Sequence, residues 1–150
     1  MMDFKKELIF LNRDFGSREE LFDEIGALLT EKQIVKPEYT EEIIKRENNF
    51  PTGIPLEDIP VAMPHVEAKY VNENTMFVVT APKGIEFDNA EDDGTVEVKI
   101  VFGLLVNNPD KHLEFLMKLV DLFQKKEVLK KIYMSGNEED VINILREDLN

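Results

Sequence analysis

The sequence predicts a single α/β layered domain. Three observations carry that expectation: helical spacing of apolar residues before residue 50, two β-branched apolar runs at 75–82 and 96–106, and a return to helical spacing from about residue 110. A chain of 150 residues is long enough to bury one core, and no repeat, low-complexity segment or linker divides it. The order of strands in the sheet does not follow from these patterns.

Taken in order, residues 7–11 (ELIFL) read as a short first strand or an extended arm. Ser17 with Glu20 three positions later has the pattern of a capping box, and Leu21, Ile25, Leu28 and Leu29 continue it as an amphipathic helix over about 18–33. Pro37 is read as the start of a second helix, with Arg46 and Glu47 in its last turn and Asn48 and Asn49 at its end. Residues 51–66, PTGIPLEDIPVAMPHV, form a proline-braced loop, because proline fixes its own φ and holds its predecessor extended.

TMFVVTAP (75–82) reads as a strand, and Glu91, Asp92, Asp93 and Gly94 as a polar turn. VEVKIVFGLLV (96–106) begins in alternation and ends as a continuous apolar run, so one end should be half-exposed and the other buried. Asn107 to Asp110 make a sharp turn into a helix over about 110–125, whose Leu113, Leu116, Val120 and Phe123 are expected to share one face. Helices near 127–134 and 138–149 complete the chain, the last carrying Val141, Leu145 and Leu149.

Composition excludes several classes of function. The formal charge is −13, from 31 acidic and 18 basic residues, and no basic stripe with interleaved aromatics occurs, which argues against nucleic-acid binding. No run approaches the roughly 20 apolar residues of a membrane helix, and the first residues lack the pattern of a secretion signal. Without cysteine there is no disulfide, thiolate nucleophile or thiolate metal site, which fits a cytoplasmic protein. Glycine-rich phosphate loops, HExxH and GxSxG are absent too, and the two histidines match no standard metal-ligand spacing.

The chemistry-bearing candidates are His65, His112 and Arg46. His65 follows Pro64 at the end of the rigid loop, where it is either a presented nucleophile or a strand-end residue bonded to backbone. His112 stands in the first turn of a helix that follows a buried strand. That position suits an anion at a helix N-terminus, and it equally suits a solvated side chain. Arg46, just before the loop, either pairs with Glu47 or another carboxylate or grips phosphoryl oxygens in a fork.

R-E-x-x-F-P-T-G-I, V-A-M-P-H and P-x-x-H-L-x-x-L-x-x-L follow one another in this chain. In that order and spacing they resemble the enzyme IIA domains of bacterial sugar phosphotransferase systems, of the fructose–mannitol superfamily and its galactitol-type branch. The resemblance runs from the helix at 18 to the last helix and implies one such domain over 1–150. It also implies a mixed β-sheet flanked by helices and a phosphocarrier needing no cofactor and no metal. On this likeness His65 accepts a phosphoryl group from the phosphohistidine of HPr and passes it to a cognate IIB protein, which acts with a IIC permease. His112 matches the family's second active-site histidine, and Arg46 matches its supporting arginine.

The apolar neighbours Phe50, Ile54, Met63 and Val66 are then expected to exclude water and to offer a docking surface to both partners. Val66 departs from the family pattern, which often has a small hydroxyl residue after the active histidine. The alternatives are a regulatory IIA-like protein acting through its phosphorylation state, and a binding module whose His65 is inert.

Overall fold

Two helical layers enclose a sheet in the computed structural model, which describes residues 2–150. Among the described residues the strands are β1 (Ile9–Phe10), β2 (Gly53–Ile54), β3 (Val61–Ala62), β4 (Thr75–Asp88) and β5 (Thr95–Leu105). Their spatial order is β1-β4-β5-β3-β2. β1 is parallel to β4 and β3 to β5, whereas β4 with β5 and β2 with β3 are antiparallel, so the sheet is mixed. The helices are α1 (Arg18–Glu31), α2 (Tyr39–Asn49), α3 (Pro109–Phe123), α4 (Lys126–Met134) and α5 (Glu138–Leu149).

Strand alternation decides which layer each side chain meets. Phe77, Val79, Val101 and Leu105 pack with Leu21, Phe22, Ile25 and Ile43 of α1 and α2. Met76, Val78, Ile100, Phe102 and Leu104 pack with Phe115, Leu119, Ile132, Val141 and Leu145 of the three C-terminal helices. Both faces are covered, which is why the centres of β4 and β5 are apolar on consecutive residues. β5 is exposed only at its start, as its pattern predicts. No helix among the described residues is long and apolar enough to cross a membrane.

The local signals mostly hold, with instructive exceptions. Ser17 Oγ accepts from the Glu20 amide at 3.1 Å, but the Glu20 carboxylate accepts from Gly16 N at 2.8 Å rather than from Ser17. α2 begins at Tyr39, because Pro37 and Glu38 form a turn closed by Tyr39 N donating to Lys36 O. The first strand keeps only two residues, after a 3₁₀ turn at Lys6–Leu8. β4 continues six residues past Pro82. The register between β4 and β5 breaks between Thr80 and Ile85, so a residue without an N–H sits where no ladder bond is required. Gly84, at φ 80° within that irregularity, supplies the left-handed backbone.

The 51–66 segment is less irregular than its prolines suggest, since β2 and β3 lie within it. Gly53 is forced by a close approach: a Cβ there would stand 2.5 Å from the Asp88 carbonyl oxygen.

Candidate active site

Parallel pairing of β3 with β5 brings their C-terminal ends to one edge of the sheet, and the candidate residues gather there. Beyond β3 the chain keeps beside β5: Leu104 N donates to Pro64 O at 3.2 Å, and His65 bridges to Leu104. Beyond β5 the chain turns into α3, where Asn108 Oδ1 accepts from the amides of Asp110 (2.9 Å) and Lys111 (3.2 Å) and Pro109 takes a first-turn position. The first turn of α3 carries His112, whose ring lies edge-on to that of His65 with centroids 5.0 Å apart. Arg46, from the last turn of α2, lines the same cleft of about 440 Å³, together with Lys69, Pro109 and Leu113. All three candidates from the sequence thus meet in one place.

His65 Nδ1 lies 2.8 Å from the Met63 carbonyl oxygen. A carbonyl can only accept, so Nδ1 carries the proton and Nε2 presents a lone pair. Burial pushes the His65 pKa down from 6.5 to about 4, against the opposing bond to Met63 and with help from the charges of His112 and Arg46. His112 is also lowered, by burial first and then by Arg46, and among the described residues its Nε2 is buried without a partner. Both imidazoles are therefore neutral near pH 7.

Arg46 supplies the charge. Among the described residues its guanidinium makes no ion pair or hydrogen bond and lies 5.5 Å from the Phe50 ring centroid. An unneutralised cation beside two neutral imidazoles, in a chain of net charge −13, marks a place for an anion. The α3 terminus contributes less than its position predicts, since Asn108 already occupies the amides of Asp110 and Lys111.

Glu47, expected as a partner for Arg46, does something else. It is 1% exposed and accepts from Thr52 N at 2.6 Å and from Thr52 Oγ1 at 2.8 Å. Burial raises its carboxyl pKa, opposed by the Thr52 bonds and the Arg18 charge. Neither Glu47 as a buried group nor Thr52 stands out from the sequence, where a carboxylate at a polar helix end looks like surface. The signal available was the unbroken R-E-x-x-F-P-T-G run, which joins both to Arg46.

The apolar surroundings also need correction. Val66 is 2% exposed and belongs to the core under α1 and α2; Met63 and Ile54 are half-buried against the opposite layer. The position after His65 thus serves packing, and only Phe50 of the expected four is an exposed apolar group, at 66%. On α3 the buried residues are Phe115, Leu119, Leu122 and Phe123; of the predicted set Phe123 is buried and Leu116 partly buried against the core, whereas Leu113 (61%) and Val120 (42%) face outward with Met117 (63%). A helix apolar on two sides defeats a one-face reading.

The fold is that of the type-2 enzyme IIA proteins. The mannitol enzyme IIA of Escherichia coli, solved by NMR in complex with phosphorylated enzyme IIB, aligns with a TM-score of 0.76 at 23% identity, over 98% of this chain and 99% of that one. Residues 2–148 match the family described as phosphoenolpyruvate-dependent sugar phosphotransferase system, EIIA 2, and the chain belongs to that family. Its members are phosphotransferase components that carry a phosphohistidine intermediate. Within the family, the chain is 31% identical to the galactitol-specific EIIA component of E. coli K12 over 118 residues, 79% of each chain. It is 28% identical to the nitrogen regulatory protein IIA-Ntr of Neisseria meningitidis, with a TM-score of 0.75 over 95% of each.

Proposed function

We propose that the chain, 1–150, is one cytoplasmic IIA domain whose His65 takes a phosphoryl group from phospho-HPr and hands it to a cognate IIB protein. The carrying observation is the Nδ1–H bond to Met63, which leaves Nε2 as the reacting nitrogen. In the transfer, Nε2 attacks phosphorus in line as the donor's N–P bond breaks, and that electron pair returns to the donor's imidazole. The proton stays on His65 Nδ1 throughout, donated to the Met63 carbonyl oxygen, whose dipole offsets positive charge developing on the ring. Arg46 balances the charge on the equatorial oxygens, and His112 donates a hydrogen bond to one of them. On this reading the transfer asks no cofactor of the protein, because the donor is itself a reactive phosphoramidate.

Likeness to the galactitol component favours a sugar uptake system of that type, in which IIB and a IIC permease complete the pathway. Likeness to IIA-Ntr favours, as the second reading, a regulator working through the same His65 chemistry. Phosphoenolpyruvate, enzyme I and HPr, incubated with the pure protein and with His65→Ala and His112→Ala, test the first step. The expected result is one acid-labile phosphoryl group, absent without His65 and formed roughly a hundredfold more slowly without His112. No phosphorylation of the wild-type chain beside a working control IIA refutes the carrier reading. Onward transfer to the neighbouring system's IIB separates the uptake role from the regulatory one.

A further inference from the structure

We infer that Glu47 and Thr52 are positioning residues that fix the reactive tautomer and direction of His65. The inference rests on His65 as acceptor, and it starts from a continuous line of hydrogen bonds. Glu47, wholly buried at the end of α2, accepts both the amide and the hydroxyl of Thr52. The Thr52 hydroxyl spends its only hydrogen on Glu47 Oε1, which leaves its lone pairs to accept from Met63 N at 3.3 Å. The Met63 carbonyl then accepts from His65 Nδ1 at 2.8 Å.

Glu47 sets the direction of the Thr52 hydroxyl, while the Met63 amide can only donate and its carbonyl can only accept. A carboxylate can only accept, so the hydroxyl must point toward it and cannot also donate to the loop. Two separate peptide groups of Met63 take part, so position rather than charge passes along the line: Thr52 pins the backbone on one side of Met63, and Pro64 stiffens the other. Without the pin the Met63 carbonyl is free to rotate away, and the imidazole loses its reason to keep the proton on Nδ1. Glu47 makes none of its bonds to the cleft, and Thr52 is buried, so their sole route to the chemistry is through this loop.

The test reads the tautomer directly in unphosphorylated protein carrying ¹⁵N-histidine, by long-range ¹H–¹⁵N correlation at pH 7.5, beside the rate of phosphorylation by phospho-HPr. Thr52→Val keeps the shape and removes the hydroxyl; Thr52→Ser keeps the hydroxyl. The expected result is a nearly pure Nδ1–H signature for wild type and Thr52→Ser. Thr52→Val should give mixed tautomers and accept phosphoryl about tenfold more slowly, the effect of one lost hydrogen bond. A wild-type tautomer signature in Thr52→Val, or the same defects in Val and Ser variants, overturns the inference. Should Thr52→Val not fold, Glu47→Gln decides: its amide donates into the Thr52 hydroxyl, whose own hydrogen then turns toward the Met63 N–H and weakens that pin, so an unmoved His65 tautomer overturns the inference equally. Failure of wild type to accept phosphoryl would defeat the carrier reading, while the tautomer comparison would still decide the role of Glu47 and Thr52.

Discussion

Acidification from pH 7 to pH 4 should destabilise this fold through His65. The imidazole is held neutral by burial, with its pKa at about 4 instead of 6.5. Between those values the unfolded chain binds a proton that the folded chain refuses, so the unfolding free energy falls as pH falls through that window. A difference of that size corresponds to roughly 3 kcal/mol, and the partial access of the ring brings the expectation to about 2–3 kcal/mol. His112, lowered as well, contributes with the same sign. Glu47 opposes them: its raised carboxyl takes a proton more readily when folded, so its contribution weakens the fold as pH rises. Comparison with His65→Gln isolates the one residue. Urea unfolding followed by circular dichroism, in steps from pH 7.5 to 4, should show wild type losing about 2–3 kcal/mol more than the variant. Parallel stability curves for the two proteins, or an NMR titration of His65 centred near 6.5, would refute the reasoning.

Other expectations are simpler. Arg46→Met should slow phosphoryl acceptance about a hundredfold while leaving the thermal midpoint unchanged, because the guanidinium bonds to nothing else among the described residues; Arg46→Lys should recover only part of the loss, as read in rapid-quench transfer assays. Leu113→Asp and Met117→Asp, both on exposed positions, should raise the KM for phospho-HPr about tenfold with unchanged circular dichroism and kcat. Gly53→Ala should cost about 1–3 kcal/mol in chemical denaturation, since the new methyl meets the backbone carbonyl of Asp88, which cannot swing aside as a side chain could.

Much of this molecule is legible in its sequence where one signal acts alone. Ser17, Asn108 and the apolar run of β5 work through local bonding or through burial on both faces, and their neighbours in sequence are enough to read them. His65 and Arg46 stand out because proline density and a familiar motif frame them. Legibility ends where distant segments decide. The extension of β4 past Pro82 depends on a register break against β5, and the two strands inside the proline loop exist because β3 pairs with β5 and β2 with β3. Glu47 looks like a surface carboxylate until Thr52 folds over it. Leu113 and Val120 mislead because an outward apolar face has the same periodicity as an inward one.

The pairing order of the sheet also has a kinetic meaning. β4 and β5 form a hairpin from neighbouring residues, a local contact that closes early. β3 must travel back across the intervening segment to lie beside β5, with Val61 opposite Ile100. That long-range pairing carries His65 to the end of the sheet where Arg46 and His112 lie. A chain arrested with its hairpin and C-terminal helices in place would have the circular dichroism of a half-made protein and no means of holding a phosphoryl group. With His65 as the acceptor, acid-labile phosphate formed during refolding should lag behind secondary structure by the time β3 takes to pair with β5.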